Sequence, residues 1–365
     1  MDWLPADPGS PAPLAGLRVL DLSELLPGPF MTQSLVELGA DVIKVERPPQ
    51  GDPLRRAAPA LFAAVNRGKR ALRVDLKTDA GRNSVLAMAD GADVMVESFR
   101  PGVIAKLGLD WQRLHQRNPR LVLASLSGYG ATGPRASWPG HDLNYLAAAG
   151  VVGMAMKDDM ASPSFGVPVA DLAGATYALA AVQTALLHRV RSGRGQHLDI
   201  SLTDCVAHWM NPRLAALRDA GGDADKARRA VQQRPAYGTF RCRDGRAITV
   251  AALEDHFWAA LVAALPLPGF DAPELARYPA RAALAADIQA AIAAVLARED
   301  SPTALARLAA ADVPVAEVVA LDELVAAPAL AGRQRFVATD AGPLLRFPVA
   351  LDGVSAAAAS GPVPT

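Results

Sequence analysis

Leu17-Arg18-Val19-Leu20-Asp21-Leu22, an apolar helical run near Phe30 to Leu38, and then Val42-Ile43-Lys44-Val45 form the stretch whose reading decides the fold. A helix between two short apolar strands returns the second strand parallel to the first, because parallel neighbours need a crossover longer than a hairpin turn. The alternation continues outward with a helix near Ala80 to Met88, a strand over Val94 to Glu97 and another over Val122 to Ser127. Short connections bearing Gly or Pro separate them, as α/β units require. The expected class is α/β, a parallel sheet covered by helices.

Upstream, residues 1 to 14 are rich in Pro, Asp and Ala and read as a loose leader. Downstream, a small-residue apolar helix runs from Ala170 to about Val190, stops at Ser192-Gly193-Arg194-Gly195, and is followed by a strand from His197 to Leu202. The composition then changes. Arg213 to Arg234 is charged and helical, broken by Gly221-Gly222, and reads as a linker. A second unit opens with a hairpin, Thr239 to Cys242 and Ala247 to Ala251, turning through Asp244-Gly245. Ala-rich helices follow to about Leu330, and Phe336 to Val349 reads as strands and loops returning to the first unit. The expected division is a large domain of 1–212 with 331–365, a linker of 213–234 and a small domain of 235–330.

The chain has 365 residues, enough for two domains and a cleft, and its 51% hydrophobic and 20% charged content is that of a globular protein. Lys plus Arg and Asp plus Glu are both 37, so there is no bulk field for nucleic acid or an anionic membrane, and neither is an expected partner. Cys205 and Cys242 have no metal-type spacing and read as free thiols of a cytoplasmic protein. The start, Met1-Asp2-Trp3-Leu4-Pro5, lacks a basic region and apolar core of a signal peptide, and no uninterrupted apolar run reaches bilayer length.

Gly128-Tyr129-Gly130-Ala131-Thr132-Gly133 matches the dinucleotide fingerprint, but Pro134, Pro139 and Gly140 follow where a helix would have to open against a pyrophosphate. No nicotinamide or flavin cofactor is expected. His188, His197 and His208 are too irregularly spaced for a metal site, and none is expected. Basic residues do gather at loop ends: Arg47, then Arg67, Lys69 and Arg70, then Lys77, then Arg100. Carboxyl ends of strands form the ligand crevice of an open α/β sheet, so Arg47 and Arg100 face an anionic ligand there, or all are scattered solvated charges. In Gly140-His141-Asp142-Leu143-Asn144-Tyr145, His141 is a candidate acid/base, with Asp171 thirty positions on at the mouth of the small-residue helix. A helix N-terminus favours the Asp anion and offers N–H groups to a developing oxyanion; equally, Asp171 reads as a plain cap and His141 as a loop residue.

Blocks along nearly the whole chain resemble the class III CoA-transferase (CaiB/BaiF) family: Leu17 to Leu22 through Leu26-Pro27-Gly28-Pro29, Leu38 to Glu46, Gly51-Asp52-Pro53, Asn66 to Arg70, Asp75-Leu76-Lys77-Thr78, Ala92 to Gly102, and Gly193-Arg194-Gly195-Gln196. The resemblance implies an acyl-CoA substrate bound through Arg47, Lys77, Arg100 and Lys106. It also implies a Rossmann-like large domain that includes the C-terminal segment, a smaller α+β domain, and two chains threaded as an interlocked homodimer. In transferases of the family, the Asp at position 171 is a nucleophile that forms an aspartyl anhydride and then an aspartyl-CoA thioester. In α-methylacyl-CoA racemases it is an acid/base partnered by the His of a block like Gly140 to Tyr145, where transferases usually carry an aromatic residue. His141 therefore directs the expectation to the racemase branch: 1,1-proton transfer on a 2-methylacyl-CoA through an enolate, with His141 and Asp171 on opposite faces. Glu254, in Ala252 to Trp258, resembles the small-domain Glu that orients the catalytic His, although it is also an ordinary helix N-terminal acid. Val169-Ala170-Asp171-Leu172-Ala173-Gly174 departs from the glycine-rich racemase block. Met154-Ala155-Met156 and Phe165-Gly166 fall where an acyl channel would run, or are ordinary core.

Overall fold

The computed structural model describes residues 1–3, 12–156, 165–333, 335–340 and 342–351. The leader expected over residues 1 to 14 lies mostly outside the described residues, as does the C-terminal segment beyond 351. The chain divides into two compact units, Met1–Asn211 with Leu330–Thr365, and Pro212–Ala329.

In the first unit, β1 (Arg18–Asp21), β2 (Asp41–Glu46), β3 (Arg70–Arg73), β4 (Val94–Glu97), β5 (Val122–Ser127) and β6 (His197–Ser201) form one parallel sheet in the order β3-β2-β1-β4-β5-β6. Strand residues alternate between two buried faces, which is why these runs read as almost continuously apolar. Val19, Val42, Val94, Val122 and Ala124 face the helices α1 (Pro27–Glu37) and α4 (Val169–Ser192). Leu20, Ile43, Met95 and Leu123 face α2 (Asp79–Asp90) on the other side. Helix α4 presents Ala175, Ala178, Val182 and Ala185 to the sheet, spaced to fall on one stripe. By length and composition α4 could cross a membrane, and in this fold that stripe is buried. Helices α3 (Asp142–Ala148) and α5 (Leu202–His208) pack against the start of α4 around Tyr145, Leu146, Ala173 and Val206.

Beneath the carboxyl end of β1 lies a buried polar network. Lys69 Nζ reaches Asp21 Oδ2 at 3.0 Å, Thr32 Oγ1 at 2.7 Å, Asn66 Oδ1 at 2.8 Å and the Pro29 carbonyl at 3.0 Å. Arg67 is buried too, bonded to Glu37 and to the Ala64 and Leu345 carbonyls, and Arg70 pairs with Asp41 at 2.5 Å. Arg67 and Lys69 thus serve the interior, where an unpaired charge would be prohibitive, and Arg70 is tied to Asp41 at its edge.

In the second unit, β7 (Tyr237–Arg241), β8 (Ala247–Ala251) and β9 (Val315–Glu317) make an antiparallel sheet in that order. Asp244-Gly245 turns the hairpin as the sequence reading expects, Gly245 at φ 80. Helices α6 (Asp255–Ala264), α7 (Ala285–Leu296) and α8 (Ser301–Ala310) close a core of Phe240, Ile248, Val250, Trp258, Leu261, Ile288, Ile292 and Leu308. Back in the first unit, β10 (Phe336–Thr339) and β11 (Gly342–Leu345) form an antiparallel hairpin.

Candidate active site

In an open parallel sheet the connections leaving neighbouring strands diverge where the strand order reverses, and a crevice opens there. Here the reversal lies between β1 and β4, and a cleft of about 530 Å³ opens at their carboxyl ends. Glu24, Leu25 and Pro27 line it after β1, Ser98, Phe99 and Arg100 after β4, and Ser127 and Gly128 after β5. Trp138, Gly140, His141, Asn144 and Tyr145 form a further wall, and Asp171 enters from the first turn of α4.

His141 occupies the N-cap of α3 in extended conformation, and its backbone N–H donates to Asn144 Oδ1 at 3.0 Å. The Tyr145 hydroxyl donates to the Gly140 carbonyl at 2.5 Å. Tyr145 in turn packs edge-on against Tyr129 and fills the space beside Gly128, where a Cβ would fall 2.3 Å from its ring. The literal dinucleotide fingerprint is therefore a packing device for this wall: no helix follows it until Asp142.

Asp142, unassigned by sequence reasoning, ties the wall to α4. Its Oδ1 accepts the N–H of Ala170 at 2.6 Å and of Asp171 at 3.2 Å. The helix start was expected to offer N–H groups to an oxyanion, and the carboxylate of Asp142 occupies these two. Burial and the nearby Asp142 charge push the Asp171 carboxyl up to about 6, with His141 opposing. Asp171 is consequently ionised at neutral pH yet close to its titration, as a carboxylate nucleophile or an acid/base requires.

Of the sequence-predicted residues, the cleft brings together Arg100, His141 and Asp171. Arg47 is exposed and pairs at 3.3 Å with Glu24, which lines the cleft. Lys77 and Lys106 are exposed and are not among the lining residues. Glu254 lies in the second unit, exposed, at the N-cap of α6. Phe165 is exposed, and the segment 157–164 between it and Met156 is outside the described residues. Sequence reasoning missed Glu24 and Leu25, whose sole signal was their place directly after β1.

A model of CoA-transferase family III matches residues 14–365. The chain belongs to that family. It is 31% identical over 362 residues to an acetyl-CoA:oxalate CoA-transferase of Acetobacter aceti, covering 96% of this chain and 91% of that one. It is 40% identical over 210 residues to a succinate–glutarate CoA-transferase of Agrobacterium fabrum, covering 54% of this chain and 52% of that enzyme, so the chain spans about half the length of this relative. A crystal structure of a CaiB/BaiF family protein from Brucella suis superposes with a TM-score of 0.83 at 30% identity, over 97% of this chain and 96% of that one. The Mycobacterium tuberculosis protein Rv3272 superposes with a TM-score of 0.85 at 28% identity, over 97% of both chains. The Acetobacter aceti and Agrobacterium fabrum relatives bear transferase names, not racemase names, which weighs against the branch that His141 pointed to.

Proposed function

We propose that this chain is a CoA-transferase that moves CoA from an acyl-CoA to a carboxylic acid, with Asp171 as the nucleophile. The observation that carries the reading is a carboxylate held in a crevice at the switch point of the sheet, in a chain whose relatives are named for CoA transfer. The Asp171 carboxylate attacks the thioester carbonyl carbon, the C–S bond of the resulting tetrahedral adduct breaks, and CoA leaves as its thiolate, so that the acyl group and Asp171 form a mixed anhydride. The thiolate then attacks the Asp171 acyl carbon of that anhydride, releasing the first acid and leaving an aspartyl-CoA thioester. The acceptor carboxylate repeats the two steps in reverse, so no oxidant, metal or water is consumed. In this proposal Arg100, Arg47, Lys77 and Lys106 hold the anionic groups of CoA, and the chain forms the interlocked homodimer that the resemblance implies; light scattering gives the assembly state.

Racemisation is kept as a second reading because His141 and Asp171 line one cleft. Against it, Asp142 holds two of the N–H groups at the helix start, where an enolate oxygen would be received. Wild-type protein is incubated with an acyl-CoA and a panel of acids, and products are separated by chromatography. New acyl-CoA thioesters that require the acid, lost by at least about a thousandfold in Asp171→Ala, support transfer. Deuterium exchange at the α-carbon of a 2-methylacyl-CoA in heavy water, with no acid present, would support racemisation instead.

A further inference from the structure

The turn after β1 contains a non-glycine residue in the left-handed region, Leu25 at φ 65. A leucine side chain is strained there, and such a conformation persists only where its surroundings over-determine it. Two consecutive peptide groups of this turn are held from outside it at three points. Lys44 Nζ donates to the Ser23 carbonyl at 2.9 Å, the Glu24 N–H donates to Ser98 Oγ at 2.9 Å, and the Leu25 N–H donates to Asp52 Oδ2 at 3.3 Å. Lys44 and Asp52 pair at 3.0 Å with both side chains wholly buried. Asp52 is fixed further by the Leu54 N–H on its Oδ1 at 2.9 Å. What the clamp presents is functional surface: Glu24 and Leu25 both line the cleft that contains Asp171.

We infer that the Lys44–Asp52 ion pair, with the Ser98 hydroxyl, is a positioning device that holds the Glu24–Leu25 turn in its left-handed bend and so shapes the cleft wall against which the acyl-CoA packs. This rests on the proposed function for the identity of the ligand. Lys44 and Asp52 are buried outside the cleft lining and act through backbone, Lys44 on the Ser23 carbonyl and Asp52 on the Leu25 N–H. A clamp of this kind makes a distinct demand: Asp52 matters because residue 25 resists its own conformation. Glycine adopts positive φ without that resistance, so the need for Asp52 should lapse when residue 25 is glycine.

The test is a double-mutant cycle of Asp52→Asn and Leu25→Gly, read as kcat and KM for acyl-CoA and as Kd for free CoA. Expected is a loss of roughly tenfold in kcat/KM from Asp52→Asn in the leucine background and less than about twofold in the glycine background, a coupling of ordinary size for residues in contact. An equal loss in both backgrounds overturns the inference and leaves Asp52 with a general structural role. If Asp52→Asn does not fold, Ser98→Ala, which removes the acceptor of the Glu24 N–H together with one hydroxyl of the cleft wall, is put through the same cycle, where a loss that is equal in both backgrounds again overturns the inference. If wild type transfers no CoA, the proposed function fails by itself, and the cycle is then read as Kd for acyl-CoA by calorimetry.

Discussion

Asp171 is kept near its titration point by burial and by one charged neighbour, Asp142, rather than by its own sequence context. Burial and the Asp142 charge raise its carboxyl to about 6. Transfer requires the ionised form, so kcat/KM should fall with unit slope as pH drops below about 6. Asp142→Asn keeps an oxygen for the N–H groups of Ala170 and Asp171 but removes the charge, so the acid limb should move to lower pH; a limb that stays put would show that burial alone sets it. Stability carries the opposite sign. The folded carboxyl binds its proton more tightly than the unfolded one, so stability conferred by protonation is present at low pH and is lost as pH rises from about 4 to about 6. Asp171→Asn should therefore be more stable than wild type at pH 7, by on the order of 1 to 3 kcal/mol, and the two should converge below about pH 4 in urea titrations.

Elements were legible where one physical signal dominated. Strands over Val94 to Glu97 and Val122 to Ser127 are buried on both faces, so apolar runs marked their bounds exactly as they stand in β4 and β5. Strand β3 was not among the expected strands, because its Arg70-Ala71-Leu72-Arg73 carries too little apolar character to outweigh the charges around it. Lys69 misled for a related reason: a charge buried among four acceptors looks, in sequence, like one waiting for a phosphate. At the site, His141, Asp171 and Arg100 were legible from residue type and position. Asp142, Glu24 and Leu25 were not, since their roles depend on contacts between distant segments. The wall built on α3 yields its own expectation. Gly128→Ala forces a methyl to within 2.3 Å of the Tyr145 ring, and should cost about 1 to 3 kcal/mol in urea unfolding while lowering turnover through the His141 loop.

On the scale of the whole molecule, the two units have separate cores. The residues from Phe240 to Leu308 that fill the second are all contributed by the continuous segment Pro212–Ala329. That segment, expressed alone, should melt cooperatively, whereas the first unit needs chain from both sides of it. The family membership of residues 14–365 sets the chemistry to be tested, acyl transfer through a carboxylate, and Asp171 is where it would be visible. The most direct measurement is peptide mass analysis of protein quenched with hydroxylamine during turnover with an acyl-CoA and an acceptor acid, beside a control without acyl-CoA. Conversion of Asp171 to its hydroxamate, with a mass increase of about 15 Da and dependent on acyl-CoA, is the expected result for a carboxylate activated as anhydride or thioester. An unmodified Asp171 during sustained turnover, together with deuterium entering the α-carbon, would contradict it and return His141 and Asp171 to the role of a proton-transfer pair.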